Sequence, residues 1–103
     1  MSRLPQLQRL HAADPADADI PYMIAQEHLN AGDAPASLEW FDRCLALKPD
    51  YFYAYYHKAR AMAATGNAAG AAAAAREGLR RARETGNAKA VDELASLLTQ
   101  LEQ

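Results

Sequence analysis

The chain has one cysteine, Cys44, among its 103 residues. No internal disulfide can form, and that usage fits a reducing compartment, so a cytoplasmic location is expected. No apolar run approaches the length of a membrane span. The opening Met1-Ser2-Arg3-Leu4-Pro5 has no apolar core of a secretory signal, so neither a leader nor a membrane role is expected. Basic excess is missing too: the formal net charge is -2, which speaks against a dedicated nucleic-acid binder. There is no glycine-rich phosphate loop, since Gly66-Asn67 and Gly86-Asn87 read as helix breaks. His11, His28 and His57 lack the i, i+4 spacing of a helical metal site, so no metal is expected. Cys44 falls on an apolar stripe, where a cysteine behaves as a small buried hydrophobe rather than a nucleophile. Nothing here supports an enzyme or a cofactor.

What the chain does have is a core and a period. Half its residues are hydrophobic and 23% are charged, the balance of a folded chain. Pro15 recurs as Pro49, Ala25 as Ala59, Gly32 as Gly66 and Leu45 as Leu79, each 34 residues on, with Asp33 matched by Asn67. A fixed period of that size marks one supersecondary unit stacked on a copy of itself. Strand signals are nearly absent and helix punctuation is regular. Ser2 is expected to cap a first helix with Leu4, Leu7 and Leu10 on one face, ending before Asp14-Pro15. Asp17 or Asp19 caps a second, with Pro21 in its first turn and Gly32 as its left-handed terminus. Asp33 caps a third, whose inward stripe is expected to be Leu38, Phe41, Cys44 and Leu45. Asp50 is expected to cap the fourth, and Asn67 the fifth.

The fifth helix contains Ala68-Ala69-Gly70 followed by Ala71 to Ala75, which suits a thin helix packed closely on its neighbours. It should run to about Thr85. A last helix, Ala88 to Leu101, is expected to bury Val91, Leu94, Ala95, Leu98 and Leu101. On the fifth helix, Arg76, Arg80 and Arg83 share a face. That face offers an anion patch, but the stronger reading is that the pairs Glu77–Arg81 and Arg80–Glu84 are i, i+4 ion pairs on a solvated surface.

The repeat resembles the tetratricopeptide repeat. The resemblance is carried by Ala25 and His28, Gly32-Asp33, Ser37-Leu38, Phe41, Cys44-Leu45, Leu47 and Pro49. In the second copy it is carried by Tyr55, Ala59, Met62, Gly66-Asn67, Ala71, Gly78 and Leu79. The runs Ala25-Gln26-Glu27, Asp50-Tyr51 and Tyr55-Tyr56-His57 are similar to those of small stand-alone bacterial members of that family. Pro21, Lys58 and Ala75 depart from the pattern, standing where large apolar, leucine and aromatic residues are usual.

The resemblance implies an all-α fold: antiparallel helix pairs stacked as a short right-handed superhelix, in one domain over 1–103. Its parts would be an N-terminal helix over 1–14, repeats over 18–51 and 52–85, and a capping helix over 87–103. It also implies a non-catalytic protein–protein interaction module, an adaptor or scaffold. A peptide or protein partner would lie in a concave groove lined by Tyr22, Gln26, Leu29, Asn30, Tyr53, Tyr56, His57, Arg60 and Ala64, with Lys89, Asp92 and Glu93 at its end. The lysine–asparagine clamp that holds a peptide's terminal carboxylate in some relatives is absent, since Tyr22, Gln26 and His57 occupy those places. The alternative is a structural domain that forms a homodimer through the N-terminal or the last helix, with no separate ligand.

Overall fold

The computed structural model describes residues 2–103, and its regular elements are six α-helices, with no strand among the described residues. The chain divides into two compact units, Met1–Pro49 and Asp50–Gln103.

The first unit holds α1 (Leu4–Ala13), α2 (Asp19–Asn30) and α3 (Ala34–Leu47). Ser2 contributes to the start of α1: its Oγ accepts from the Leu4 N–H at 3.1 Å, although Arg3 is the capping position. Of the three leucines expected on one face, Leu7 is buried against Ile20 and Ile24, Leu4 packs at the edge, and Leu10 is 48% exposed. Asp17 supports the start of α2, its Oδ1 accepting from the Asp19 N–H at 2.9 Å. Pro21 is buried in the first turn of α2, where it interrupts no intrahelical bond.

The α3 stripe agrees with expectation at Phe41 and Cys44 and differs at its two leucines. Ala34, Ser37, Phe41 and Cys44 are buried, while Leu38 and Leu45 flank them half-buried. The buried row runs through small residues, which let α3 lie close to α2. The Ser37 hydroxyl tolerates burial because it donates to the Ala34 carbonyl at 2.7 Å.

The second unit holds α4 (Phe52–Ala64), α5 (Ala68–Thr85) and α6 (Ala88–Leu101). Its α4–α5 contact is built on alanine and glycine: Ala54, Ala59, Ala71, Ala75, Gly78 and Ala82 are all buried. A Cβ placed on Gly78 would lie 2.6 Å from the Tyr55 Cβ, so the two backbones approach too closely for any other residue. Ala59, Ala74, Ala75 and Leu97 form a core, with Tyr56, Met62, Leu98 and Leu101 packed around it. Ala75 thus takes the aromatic's usual place without leaving the core. The inward face of α6 also differs from expectation: Ala90, Leu94 and Leu97 are buried, and Val91, Ala95, Leu98 and Leu101 are half-buried beside them. Leu97 is not among the three leucines chosen from the pattern, Leu94, Leu98 and Leu101, so the stripe is wider than the expected one.

One turn serves three times. After α2, the Asp33 N–H reaches the His28 carbonyl at 2.9 Å and the Gly32 N–H the Leu29 carbonyl at 3.0 Å. The same pair of bonds recurs at Gly66-Asn67 and Gly86-Asn87. This is the Schellman closure, and it needs a left-handed residue, which Gly32 (φ +83°), Gly66 (φ +84°) and Gly86 (φ +70°) supply. The next residue then caps the following helix: Asp33, Asn67 and Asn87 accept from the N–H groups of Ala36, Gly70 and Ala90. The expected Asp50 cap does not form. Tyr51 is the capping position of α4 and gives no side-chain bond, while the Asp50 carboxylate lies 3.5 Å from Arg81 on α5. The opposite charge of Arg81 competes with the cap for that carboxylate.

Candidate protein-interaction surface

The residues expected to face a partner lie on α2 in the first unit and on α4 in the second. On α2, spacing of four residues sets Gln26 one turn from Tyr22, and the Gln26 amide donates to the Tyr22 hydroxyl at 3.0 Å. The Tyr22 ring packs beside Phe41, with centroids 6.1 Å apart. Both side chains are half-buried and preset. Asn30, at the end of the helix, is exposed and stands apart from that pair.

On α4 the structure gathers three of the four expected residues. The Tyr56 and His57 rings meet edge to face at 5.3 Å. The Arg60 guanidinium sits 5.9 Å from the Tyr56 ring centroid, within reach of a cation–π attraction. Tyr56 also rests on the core of Ala59, Ala74, Ala75 and Leu97, so its ring is anchored on one side. Burial pushes the His57 pKa down, and Arg60 pushes it further the same way. Both effects favour the neutral imidazole over the charged form. Tyr53, one turn earlier, is 47% exposed, among the most open large apolar side chains described. Of the flanking residues, Ala64, Lys89 and Asp92 are exposed and Glu93 is half-buried.

Two aromatic rings, a neutral imidazole and a cation on one helix can hold a peptide by stacking, hydrogen bonding and one directed charge. No group of three metal-binding side chains occurs among the described residues. Cys44 is fully buried, and burial raises its thiol to about 12, with Asp19 adding to the rise.

The first unit also contains a cluster that sequence reasoning passed over. The Arg43 guanidinium lies 4.2 Å over the Trp40 ring, and His11 from α1 meets the same ring edge to face at 5.3 Å. The i, i+3 spacing of Trp40 and Arg43 was its signal. The His11 contact required knowing how α1 lies.

No protein-family model matches the sequence, and no curated protein matches it. Solved structures do. A tetratricopeptide repeat domain protein from Salinibacter ruber, solved by crystallography, is 30% identical, covers 84% of this chain and 96% of its own, and superposes with a TM-score of 0.75. Its solution structure gives 31% identity, 86% and 90% coverage, and a TM-score of 0.79. This chain belongs to the tetratricopeptide repeat family. The fold extends to distant chains. The first repeat domain of Spaghetti, bound to the HSP90 peptide SRMEEVD, is 20% identical over 97% of this chain and 80% of that one, with a TM-score of 0.75. The type III secretion translocator chaperone SycD of Yersinia enterocolitica is 12% identical over 93% and 67%, with a TM-score of 0.81.

Proposed function

We propose that this chain is a non-catalytic protein-interaction module that holds a peptide or protein segment against the first helices of its repeats. In this reading 18–51 and 52–85 are the repeats, and 1–14 and 87–103 flank them. The observation that carries it is the Tyr56–His57–Arg60 cluster beside the exposed Tyr53 on α4. Tyrosine and arginine are the residues that most often anchor interfaces, and here they stand preset on a rigid helix. Tyr22 and Gln26 offer a second preset pair on α2. The Spaghetti domain, a chain of the same fold, is seen bound to the HSP90 peptide SRMEEVD, which supports a peptide-holding role. The clamp that suits a free peptide terminus is not present here, so the segment is read as internal.

The test is quantitative capture from lysate by the whole chain and by variants. Tyr56→Ala with Arg60→Ala should cut recovery of the specific partner by about thirtyfold or more while the helical circular dichroism is kept. Tyr22→Ala with Gln26→Ala tests the α2 pair separately. Full recovery by both double variants would overturn the reading. The exposed Leu10 favours the second reading, self-association through α1. In that case sedimentation shows a dimer that Leu10→Asp abolishes.

A further inference from the structure

Helices α5 and α6 leave a cavity of about 480 Å³ lined by Arg76, Leu79, Arg80, Arg83, Glu84 and Leu98. That is within the range of roughly 300–1,000 Å³ typical of ligand sites. Its apolar part comes from Leu79, which is buried, and from Leu98, which packs on the core of Ala59, Ala74, Ala75 and Leu97. Its rim carries three arginines of one α5 face, and their charges are not equally matched. Arg76 pairs with Glu102 at 3.0 Å, and Arg80 is gripped by Glu77 at 2.6 Å and Glu84 at 2.7 Å. Arg83 has no ion-pair partner among the described residues. Its place in the last turn of α5 suits a cation, but leaves the guanidinium open.

We propose that this cavity is a second docking site, for a peptide segment with a carboxylate next to an aliphatic or aromatic side chain. The apolar side chain seats on Leu79 and Leu98, and the carboxylate meets the guanidinium of Arg83. A further acidic residue exchanges with Glu102 for Arg76, because a single exposed ion pair of that kind is weak. Charge complementarity selects this occupant. A basic segment would leave Arg83 unmatched, since Arg76 and Arg80 already have carboxylate partners. A neutral apolar one would cover Arg83 without giving it a partner. A nucleic-acid strand would leave the leucines unused. The site shares no residue with α2 or α4, so it stands or falls apart from the reading above.

The test selects from a random heptapeptide phage library on the immobilised full chain. Enriched peptides should carry Asp or Glu adjacent to Leu, Ile or Phe. The leading peptide, made synthetically and titrated by fluorescence anisotropy, should lose tenfold or more in affinity on Arg83→Gln, and also on Leu98→Ser. It should weaken with added salt, and bind Tyr56→Ala with Arg60→Ala as well as the parent. Arg83→Gln lies on the exposed rim and keeps the test decisive if Leu98→Ser loses its helical signal. Enriched peptides without acidic residues would overturn the proposal. So would equal affinity for Arg83→Gln, or Arg83-dependent binding of a 20-nucleotide single strand in place of the peptide.

Discussion

Gly78 and Gly70 lie eight residues apart on α5, yet alanine should affect them differently. At Gly78 the new Cβ would meet the Tyr55 Cβ at 2.6 Å, an atom fixed to the α4 backbone. The helices must separate, and Gly78→Ala should cost about 1–3 kcal/mol in urea unfolding despite alanine's better helix propensity. At Gly70 the Cβ meets only the end of the Asn67 side chain, which can swing away. A weakened cap and a gain in propensity are each about 1 kcal/mol there, so Gly70→Ala should change stability by less than about 0.5 kcal/mol. Equal losses at both would deny the close α4–α5 approach. Phe41, fully buried in the first unit, should cost about 3–5 kcal/mol as Phe41→Ala.

His57 makes stability depend on pH, and the sign is fixed. Its folded pKa lies below the ordinary 6.5, so the unfolded chain binds more protons over the interval between the two values. Stability therefore falls as pH drops below 6.5 and stops falling from this source once the folded value is passed. Melting temperature against pH should show that slope, and His57→Gln should flatten it. A slope that survives the substitution would assign it elsewhere.

At the scale of elements, boundaries were the most legible feature. Proline before a break, glycine at a left-handed turn and Asp or Asn after it are local signals. The α5 and α6 limits at Thr85 and Ala88 follow from Gly86-Asn87 alone. Helix phase was less legible. Leu38 and Leu45 outweigh Ser37 on any hydropathy scale, yet Ser37 lies innermost because a close helix contact selects for size and its hydroxyl has a carbonyl at hand. Asp50 missed its cap because Arg81, 31 residues away, attracts the same carboxylate. Neither effect is visible in a local window. The caps themselves give a measurable prediction: Asn67→Ala removes the acceptor for the Gly70 N–H and should lower stability by about 1 kcal/mol, with the loss seen as fraying of α5 in amide exchange.

For the whole molecule, family membership was legible from the 34-residue recurrence, and the Salinibacter ruber structures bear it out. The candidate surface was only half legible. Periodicity put Tyr53, Tyr56, His57 and Arg60 on one face. It could not show that Tyr56 is anchored on the core, that Arg60 leans over it, or that Tyr22 and Gln26 are bonded to each other. The Arg76, Arg80 and Arg83 face was read as a solvated charge ladder. Its ion pairs do form, but the cavity beside Leu79 and Leu98 depends on how α6 meets α5, which no spacing rule gives.

Amide hydrogen exchange of the chain, free and saturated with the captured partner, tests the central claim most directly. Slowed exchange should appear in α4 over Phe52–Ala64, and should disappear with Tyr56→Ala and Arg60→Ala. A partner that leaves α4 unchanged and protects only α1, or only α5 and α6, would contradict the claim that α4 holds the partner.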